Sequence, residues 1–219
     1  MSESLHSIIQ KYAVAESLAV DVKMFSSAGP ECGKAFIYSF YHLDRLSDAF
    51  AAGEMHRLPE LRKKKCERYK RQVDKKACIF TYLLLKEGLM EQYGISDVPQ
   101  FVYNEHGKPY LRDTPNIFFN FSHSGNAAAC ALANFEIGLD IQEIRPLNKS
   151  VARKVCSDKE LRQLEESDDA DRLFCRFWTQ KESCAKAKGV GVAGIYKDAL
   201  PPGRFAGWDG ESYCMTLYC

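Results

Sequence analysis

The chain has 219 residues, of which 46% are hydrophobic and 27% are charged, a balance typical of a folded globular protein with a sizeable core. Its 30 basic and 29 acidic residues leave a formal net charge of +1, so the overall charge indicates neither a nucleic-acid partner nor a membrane surface. No segment has the features of a signal peptide or of a bilayer-spanning helix. We therefore expect a cytoplasmic protein with no membrane partner.

The nine cysteines include no CxxC pair and no spacing typical of a zinc site. Six of them fall in segments with apolar periodicity: Cys66, Cys78, Cys130, Cys156, Cys175 and Cys184. We interpret these six as small, buried, hydrophobic side chains of a reduced protein, rather than as a disulfide framework.

The N-terminal part of the chain predicts one strand and one long helix. Residues 34 to 42 are rich in aromatic side chains, which favours a strand. Beyond Pro59, apolar side chains recur every three or four residues and predict a single helix to about Gln92, with Gly94 as its C-cap. The opposite, solvated face of its first turns carries a basic run: Arg62, Lys63, Lys64, Lys65, Arg68, Lys70 and Arg71.

Short strands follow the long helix. We expect a strand at 101–103, a turn at 104–109 and a strand at 118–121, which the run 122–125 interrupts as a turn. The run of small residues at 127–133 predicts a buried strand.

The C-terminal part opens with a strand at 137–144. Its alternation places Asp140 and Gln142 on one face, and Glu143 on the other. Ser157 and Glu160 form a capping box at the start of a helix.

A second long helix is predicted from 172 to 188, with Gly189 as its C-cap, and the tail at 213–218 has strand character. Because strands and helices mix without regular βαβ alternation, the sequence favours the α+β class.

One face of the second long helix carries Trp178, Glu182 and Lys186, which are spaced four residues apart. The aromatic residues Phe177 and Trp178 indicate that this face is partly buried. A carboxylate on a partly buried face needs a partner or a metal. In the first half, Ser122 and His123 lie in a polar run suited to holding phosphate oxygens. No GxSxG motif supports a serine-hydrolase interpretation.

The order of four motifs along the chain is more specific than any of them alone. They are GKP at 107–109, FNFSHS at 119–124, GLDI at 138–141 and WTQKES at 178–183. In this order, with Lys186 and Gly189 after the last motif, the chain resembles the 4′-phosphopantetheinyl transferase superfamily, and within it the surfactin-type, monomeric, two-half branch.

This resemblance implies a pseudo-dimer of two similar α+β halves, each with a long helix packed on a small antiparallel sheet. We place the halves at 1–135 and 136–219, with the active site in the cleft between them. The implied activity is that of a holo-[acyl-carrier-protein] synthase type enzyme. It transfers phosphopantetheine from coenzyme A to a serine hydroxyl of an acyl or peptidyl carrier protein and releases adenosine 3′,5′-bisphosphate.

The resemblance also implies the roles of individual residues. Asp140, Glu182 and Gln142 would hold Mg²⁺ or Mn²⁺. Asp140, Glu182 as general base and Lys186 at the leaving group would be catalytic. Coenzyme A would contact a further set of residues: Lys64, Lys65, Lys75, Lys76, Lys108, Pro109, Ser122, His123 and Lys186.

Two departures from the family pattern leave alternatives open. Gln142 stands where the surfactin-type pattern usually has a glutamate, so one carboxylate of three is missing. In the basic helix, the family often carries an arginine for the 3′-phosphate of coenzyme A. In this chain the basic residues nearest to that place are Lys75 and Lys76. The alternatives are a degenerate relative that binds coenzyme A or a carrier protein without turnover, and a nucleic-acid-binding module that uses the basic helix at 62–71.

Overall fold

The computed structural model describes residues 15–26, 29–190 and 204–219, and within them three antiparallel sheets form. A four-stranded sheet has the order β1 (Ala15–Ser26), β2 (Gly29–Phe40), β6 (Ala127–Ala133) and β5 (Phe118–Ser124). A three-stranded sheet has the order β7 (Gly138–Glu143), β9 (Tyr213–Tyr218) and β8 (Phe205–Asp209). The third sheet is a ribbon of β3 (Phe101–Tyr103) and β4 (Pro109–Leu111).

Six α-helices occur in the same part of the chain: α1 (Asp48–Glu54), α2 (Glu60–Arg68), α3 (Gln72–Tyr93), α4 (Lys149–Val155), α5 (Asp158–Glu165) and α6 (Ala170–Lys188). The predicted capping box of Ser157 and Glu160 is present at the start of α5. None of the described helices has the length and apolarity needed to cross a membrane.

The two larger sheets pack face to face between the two long helices. In the central strand β6, Cys130 and Leu132 belong to the core around α3, whereas Ala129 and Ala131 belong to the core shared with β7. Side chains as small as alanine on the second face bring the two sheets close together. Helix α6 covers the other side of the second sheet, where Ala185 packs with residues of β9.

The two halves have the same topology. In each half a strand precedes the long helix, a hairpin follows it, and the first strand pairs with the last, which gives β2–β6–β5 and β7–β9–β8. Each long helix ends at a left-handed glycine, Gly94 with φ 66° and Gly189 with φ 64°. The α+β class and the two-half architecture are therefore confirmed, while the boundary at 135/136 stays a prediction.

The prediction of one helix from 60 to 92 is wrong, because the chain leaves the helix at 69–71. Tyr69 is extended, with φ −70° and ψ 132°. The break lets α2 fold back beside α3, where Nη2 of Arg62 donates to the carbonyl oxygen of Cys78 at 2.8 Å and to Oγ1 of Thr81 at 2.5 Å. Arg62 is consequently buried, and its placement on a solvated face is also wrong.

The prediction of a turn at 122–125 is wrong for 122–124. Strand β5 continues in register with β6 until Ser124 lies opposite Ala127, and the turn comes at Gly125, which has φ 55°. Polar side chains of β5 accept hydrogen bonds from backbone N–H groups of β7, and this accounts for a strand with a polar composition.

The six cysteines expected in the core are all buried, and so is Cys214. All seven are free thiols. The interpretation of the six as small hydrophobic side chains is confirmed.

At Gly138 the backbones of β7 and α6 lie close together. A Cβ built there would lie 1.9 Å from the carbonyl oxygen of Ser183 and 2.4 Å from the backbone nitrogen of Ala187. We expect Gly138→Ala to force α6 away from β7 and to lower the free energy of unfolding by about 1–3 kcal/mol.

Chemical denaturation measures this difference, with Gly53→Ala as the control. A Cβ at Gly53, in helix α1, meets nothing within 4 Å, so that variant should be neutral or more stable. Equal stability of the two variants would contradict the prediction.

Candidate active site

A cleft of about 490 Å³ lies between the two halves, a size typical of small-molecule sites. Its floor is formed by β5 and β7, which are edge strands of their sheets. Residues of α2, α3, α6 and the β3–β4 turn form the walls. Both halves of the chain therefore contribute to one cleft.

Side chains join the two edge strands. The N–H groups of alternate β7 residues donate to side-chain oxygens of alternate β5 residues: Leu139 to Asn120 at 3.1 Å, Ile141 to Ser122 at 3.0 Å and Glu143 to Ser124 at 3.1 Å. This ladder of three bonds replaces a backbone ladder and satisfies N–H groups that the fold takes out of water.

Asp140 lies at the centre of the cleft floor and is only 5% exposed. Its Oδ1 accepts from Oγ of Ser122 at 2.8 Å and from Nζ of Lys186 at 2.6 Å. Its Oδ2 is buried without a hydrogen-bond partner. Burial raises the pKa of Asp140, while the charge and hydrogen bond of Lys186 and the bond from Ser122 oppose this rise.

Glu182 lies one turn before Lys186 on α6 and lines the same cleft. Burial, and secondly the charge of Asp140, raise the pKa of Glu182 to about 7. Two neighbouring carboxylates in a half-buried cleft repel each other, and a cation that they share would relieve this repulsion.

The donor set of this cleft fits a hard divalent cation. Oδ2 of Asp140 is a buried oxygen without a partner, and Glu182 and Gln142 line the same cleft. Carboxylate and amide oxygens are the ligands that Mg²⁺ takes, with waters and substrate phosphates filling the other positions. Within the described residues no group of three His, Cys, Asp or Glu side chains could hold a metal ion.

His123 faces away from the ladder, toward α2. Its ring lies edge-on to that of Tyr69 with the centroids 6.1 Å apart. Burial, and secondly the charge of Lys186, lower the pKa of His123 to about 4. In the ligand-free protein the imidazole is therefore neutral near pH 7 and offers a hydrogen bond rather than a charge.

The GKP turn lines the cleft, but the ammonium group of Lys108 binds groups of the protein itself. Lys108 is 8% exposed, and its Nζ donates to the carbonyl oxygen of Ala187 at 2.8 Å. The same Nζ forms an ion pair with Glu136. Lys108 thus caps the C-terminus of α6 and fastens it to the crossover between the halves.

The cleft brings together most of the residues expected from the sequence, and these line it: Lys65, Lys108, Pro109, Ser122, His123, Asp140, Gln142, Glu182 and Lys186. Three expected lysines do not line it. Lys64 is exposed and pairs with Glu60 at 3.5 Å, Lys76 pairs with Asp48 at 2.8 Å, and Lys75 is half-buried on α3. Their predicted contact with coenzyme A stays a prediction.

Arg62 and Asn120 are among the contributors to the cleft that were not expected from the sequence. Arg62 shares a helix face with the buried Cys66, four residues on, and this spacing was a signal that it faces inward. Asn120 is two residues before Ser122, and the polar alternation through Ser124 would have shown that one strand face is polar.

Comparison with known proteins identifies the family. A family profile described as the 4′-phosphopantetheinyl transferase superfamily matches residues 136–204, and one described as 4′-phosphopantetheinyl transferase, N-terminal, matches residues 48–134. The 4′-phosphopantetheinyl transferase Sfp of Bacillus subtilis (strain 168) is 30% identical over 161 residues, which cover 72% of this chain and 71% of the relative.

Two further relatives match shorter stretches. A putative 4′-phosphopantetheinyl transferase of Synechocystis is 34% identical over 64% of this chain and 60% of its own length. The 4′-phosphopantetheinyl transferase AcpT of Salmonella typhimurium is 38% identical over 43% of this chain and 52% of its own length. With these matches across both halves, and with the motif residues gathered in one cleft, the chain belongs to the 4′-phosphopantetheinyl transferase superfamily.

Proposed function

We propose that this protein transfers phosphopantetheine from coenzyme A to a serine hydroxyl of an acyl or peptidyl carrier protein. The observation that carries the proposal is the meeting of Asp140, Glu182 and Lys186 on one side of the cleft between the halves. Two carboxylates beside one ammonium group, next to open volume, suit a substrate whose diphosphate must be neutralised.

Mg²⁺ or Mn²⁺ would be held by Asp140 and Glu182, with the amide oxygen of Gln142 as a neutral third ligand. When bound, the ion supplies positive charge to the diphosphate oxygens of coenzyme A. The partnerless Oδ2 of Asp140 supports this assignment.

In the proposed reaction, the serine oxygen of the carrier protein attacks the phosphorus atom that bears the pantetheine arm. The bond from this phosphorus to the oxygen of adenosine 3′,5′-bisphosphate breaks. Glu182, directly or through water, takes the serine proton as general base. Lys186 stabilises the negative charge that develops on the leaving oxygen.

We propose that the phosphates of coenzyme A extend from Lys186 toward His123 of β5 and Lys65 of α2, which line the cleft. The adenine end would lie at the GKP turn beside Pro109. Because both halves of one chain form the cleft, a monomer suffices for the proposed site. The buried free thiols suit a reducing, cytoplasmic setting.

The test of the proposed function is a mass measurement. Incubation with coenzyme A, Mg²⁺ and an apo carrier protein should add the phosphopantetheine mass to the carrier. We expect Asp140→Asn and Glu182→Gln each to lower turnover by more than about a hundredfold, because each loses a charge at the reaction centre.

Glu143→Gln is the matched control for this test. Glu143 follows on the same strand but pairs with Arg145 at 2.8 Å and does not line the cleft. No mass gain on several carriers, with stabilisation by coenzyme A retained, would favour a degenerate relative. Salt-dependent DNA or RNA binding without such stabilisation would favour a nucleic-acid module.

Gln142→Glu restores the carboxylate that the family pattern usually has. We expect this variant to keep its turnover and to bind Mg²⁺ more tightly, because an anionic ligand replaces a neutral one. Turnover as a function of Mg²⁺ concentration measures the change. A large loss of turnover would show that the Gln142 amide has a role other than ligation.

Lys65 and Lys64 are neighbours, of which only Lys65 lines the cleft. We expect Lys65→Ala to raise the KM for coenzyme A about tenfold, because one charge-assisted contact to phosphate is lost. Lys64→Ala should have a smaller effect, since Lys64 pairs with Glu60 on the exposed side of α2. Steady-state kinetics of both variants measures the two KM values. A larger rise in KM for Lys64→Ala than for Lys65→Ala would show that Lys64, and not Lys65, contacts coenzyme A.

A further inference from the structure

Of the free thiols in the described part of the chain, that of Cys78 is the only one whose residue lines the cleft. Cys78 lies on α3, and its neighbours Arg62 and Lys65 line the cleft as well. Nη2 of Arg62 donates to the carbonyl oxygen of Cys78 at 2.8 Å. Cys78 therefore lies where a small solute that enters the cleft meets the protein, close to two cationic side chains.

A second thiol, that of Cys66, contacts the same turn of α3. Cys66 is buried near the end of α2, and its Sγ donates to the carbonyl oxygen of Lys75 at 3.6 Å. Lys75 precedes Cys78 by about one helical turn, so both lie on the same side of α3. The thiols of Cys66 and Cys78 share a hydrogen bond, which is the largest influence on the pKa of each. The fold thus brings together two thiols from different helices.

The surroundings make these two thiols unequal. The hydrogen bond from Cys66 lowers the pKa of Cys78; burial opposes this, and the charges of Arg62 and Lys65 add to it. The same hydrogen bond, and secondly burial, raise the pKa of Cys66. Because the thiolate is the nucleophilic form of cysteine, Cys78 is the thiol that reacts first, and Cys66 is its neutral partner.

A second pair of hydrogen-bonded thiols, Cys175 of α6 and Cys214 of β9, has neither the access nor the cations. Neither residue lines the cleft. The hydrogen bond from Cys214 lowers the pKa of Cys175, but the charges of Asp140 and Asp209 act to raise it. The two pairs therefore share the proximity of their thiols, and they differ in access and in the sign of the neighbouring charge.

We propose that Cys78 is a site of reversible oxidation by hydroperoxides that enter the cleft, that Cys66 closes the disulfide with it, and that this disulfide weakens the binding of coenzyme A. Closing the bond draws Cys66 toward α3, and Lys65 moves with its chain neighbour. Because Lys65 is a proposed contact of the coenzyme A phosphates, the effect on binding rests on the proposed function. The formation of the disulfide does not.

The oxidation proceeds in two steps. The thiolate sulfur of Cys78 attacks one oxygen of the hydroperoxide, and the O–O bond breaks. Cys78 becomes a sulfenic acid, and the leaving oxygen takes up a proton to give an alcohol or water. The sulfur of Cys66 then attacks the sulfenic sulfur, the S–O bond breaks, and hydroxide leaves with the Cys66 proton as water. Two thiols lose two electrons in total, and one hydroperoxide gains them.

The first measurement maps disulfides in the unmodified chain. The protein is treated with hydrogen peroxide for increasing times, the remaining thiols are blocked, and the digest is analysed by mass spectrometry. We expect the Cys66–Cys78 link to form about tenfold faster than a Cys175–Cys214 link in the same molecules, because its thiolate is favoured by cations and open to the cleft. A dithiol reductant should restore both thiols by thiol–disulfide exchange.

Two variants separate the steps. In Cys66→Ser, dimedone should trap Cys78 as the sulfenic acid, because the thiol that closes the disulfide is missing. In Cys78→Ser, dimedone should not label Cys66, whose thiol is neutral and lies behind α3. Labelling of Cys66 in Cys78→Ser, without labelling of Cys78 in Cys66→Ser, would contradict the proposed order.

The second measurement is the affinity for S-methyl-coenzyme A, which has no thiol that peroxide could oxidise. Titration calorimetry should show about tenfold weaker binding to the oxidised protein than to the reduced protein, as for the loss of one charge-assisted contact. Present at about ten times its Kd during oxidation, the ligand should slow formation of the disulfide about tenfold, because about one molecule in eleven is then unoccupied. Peroxide should not change the affinity of Cys78→Ser from its starting value.

Two results would overturn the proposal. Oxidation of Cys175 and Cys214 while Cys66 and Cys78 stay reduced would show that the site is wrong. Equal affinities of the reduced and oxidised proteins for S-methyl-coenzyme A would show that the disulfide does not affect binding. A reduced protein that does not bind S-methyl-coenzyme A would contradict the proposed function, and with it the effect on binding, whereas the disulfide map would still decide the oxidation site.

Discussion

The structure depends on the hydrogen bonds that the backbone N–H groups at the outer edge of β7 make. Residues Leu139 and Ile141 are buried, and an N–H group left there without a partner would cost about 1–3 kcal/mol. Side chains of β5 supply the partners. Because the bonds between β5 and β7 run through side chains, the two strands lie farther apart than directly hydrogen-bonded strands. This separation leaves room for the cleft. The interaction that joins the halves is thereby also the one that opens the site.

The first half does not repeat this arrangement in the described part of the chain. Strand β2 occupies the place of β7, but its outer edge pairs with β1 along its length. The helix positions have diverged too: Lys186 lies three residues before Gly189, and Glu91 lies three residues before Gly94. Glu91 accepts a hydrogen bond from the buried Tyr38 at 2.7 Å, whereas Lys186 donates to Asp140 at 2.6 Å.

Local pattern accounts for much of the fold and fails where distant parts of the chain meet. The spacing along 60–92 is helical throughout, and no proline or glycine marks the break at Tyr69. The break lets Arg62 bond to α3, a contact that periodicity does not report. In the same way, 122–124 has the composition of a turn, and it remains a strand because β7 offers donors to its side chains.

The sequence by itself determined the family, the face that Asp140 shares with Gln142, the row of Glu182 and Lys186 on α6, and the glycine at which this helix ends. These features follow from motif order and from the periods of strand and helix, which are local. Only the tertiary structure decided which polar side chains line the cleft and which bind other parts of the protein. Lys65 lines the cleft and Lys64 does not, the ammonium of Lys108 caps a helix, and in the ligand-free protein the Ser122 hydroxyl binds Asp140 and Lys186. Such assignments depend on where elements far apart in the chain direct their side chains, and no local period encodes that.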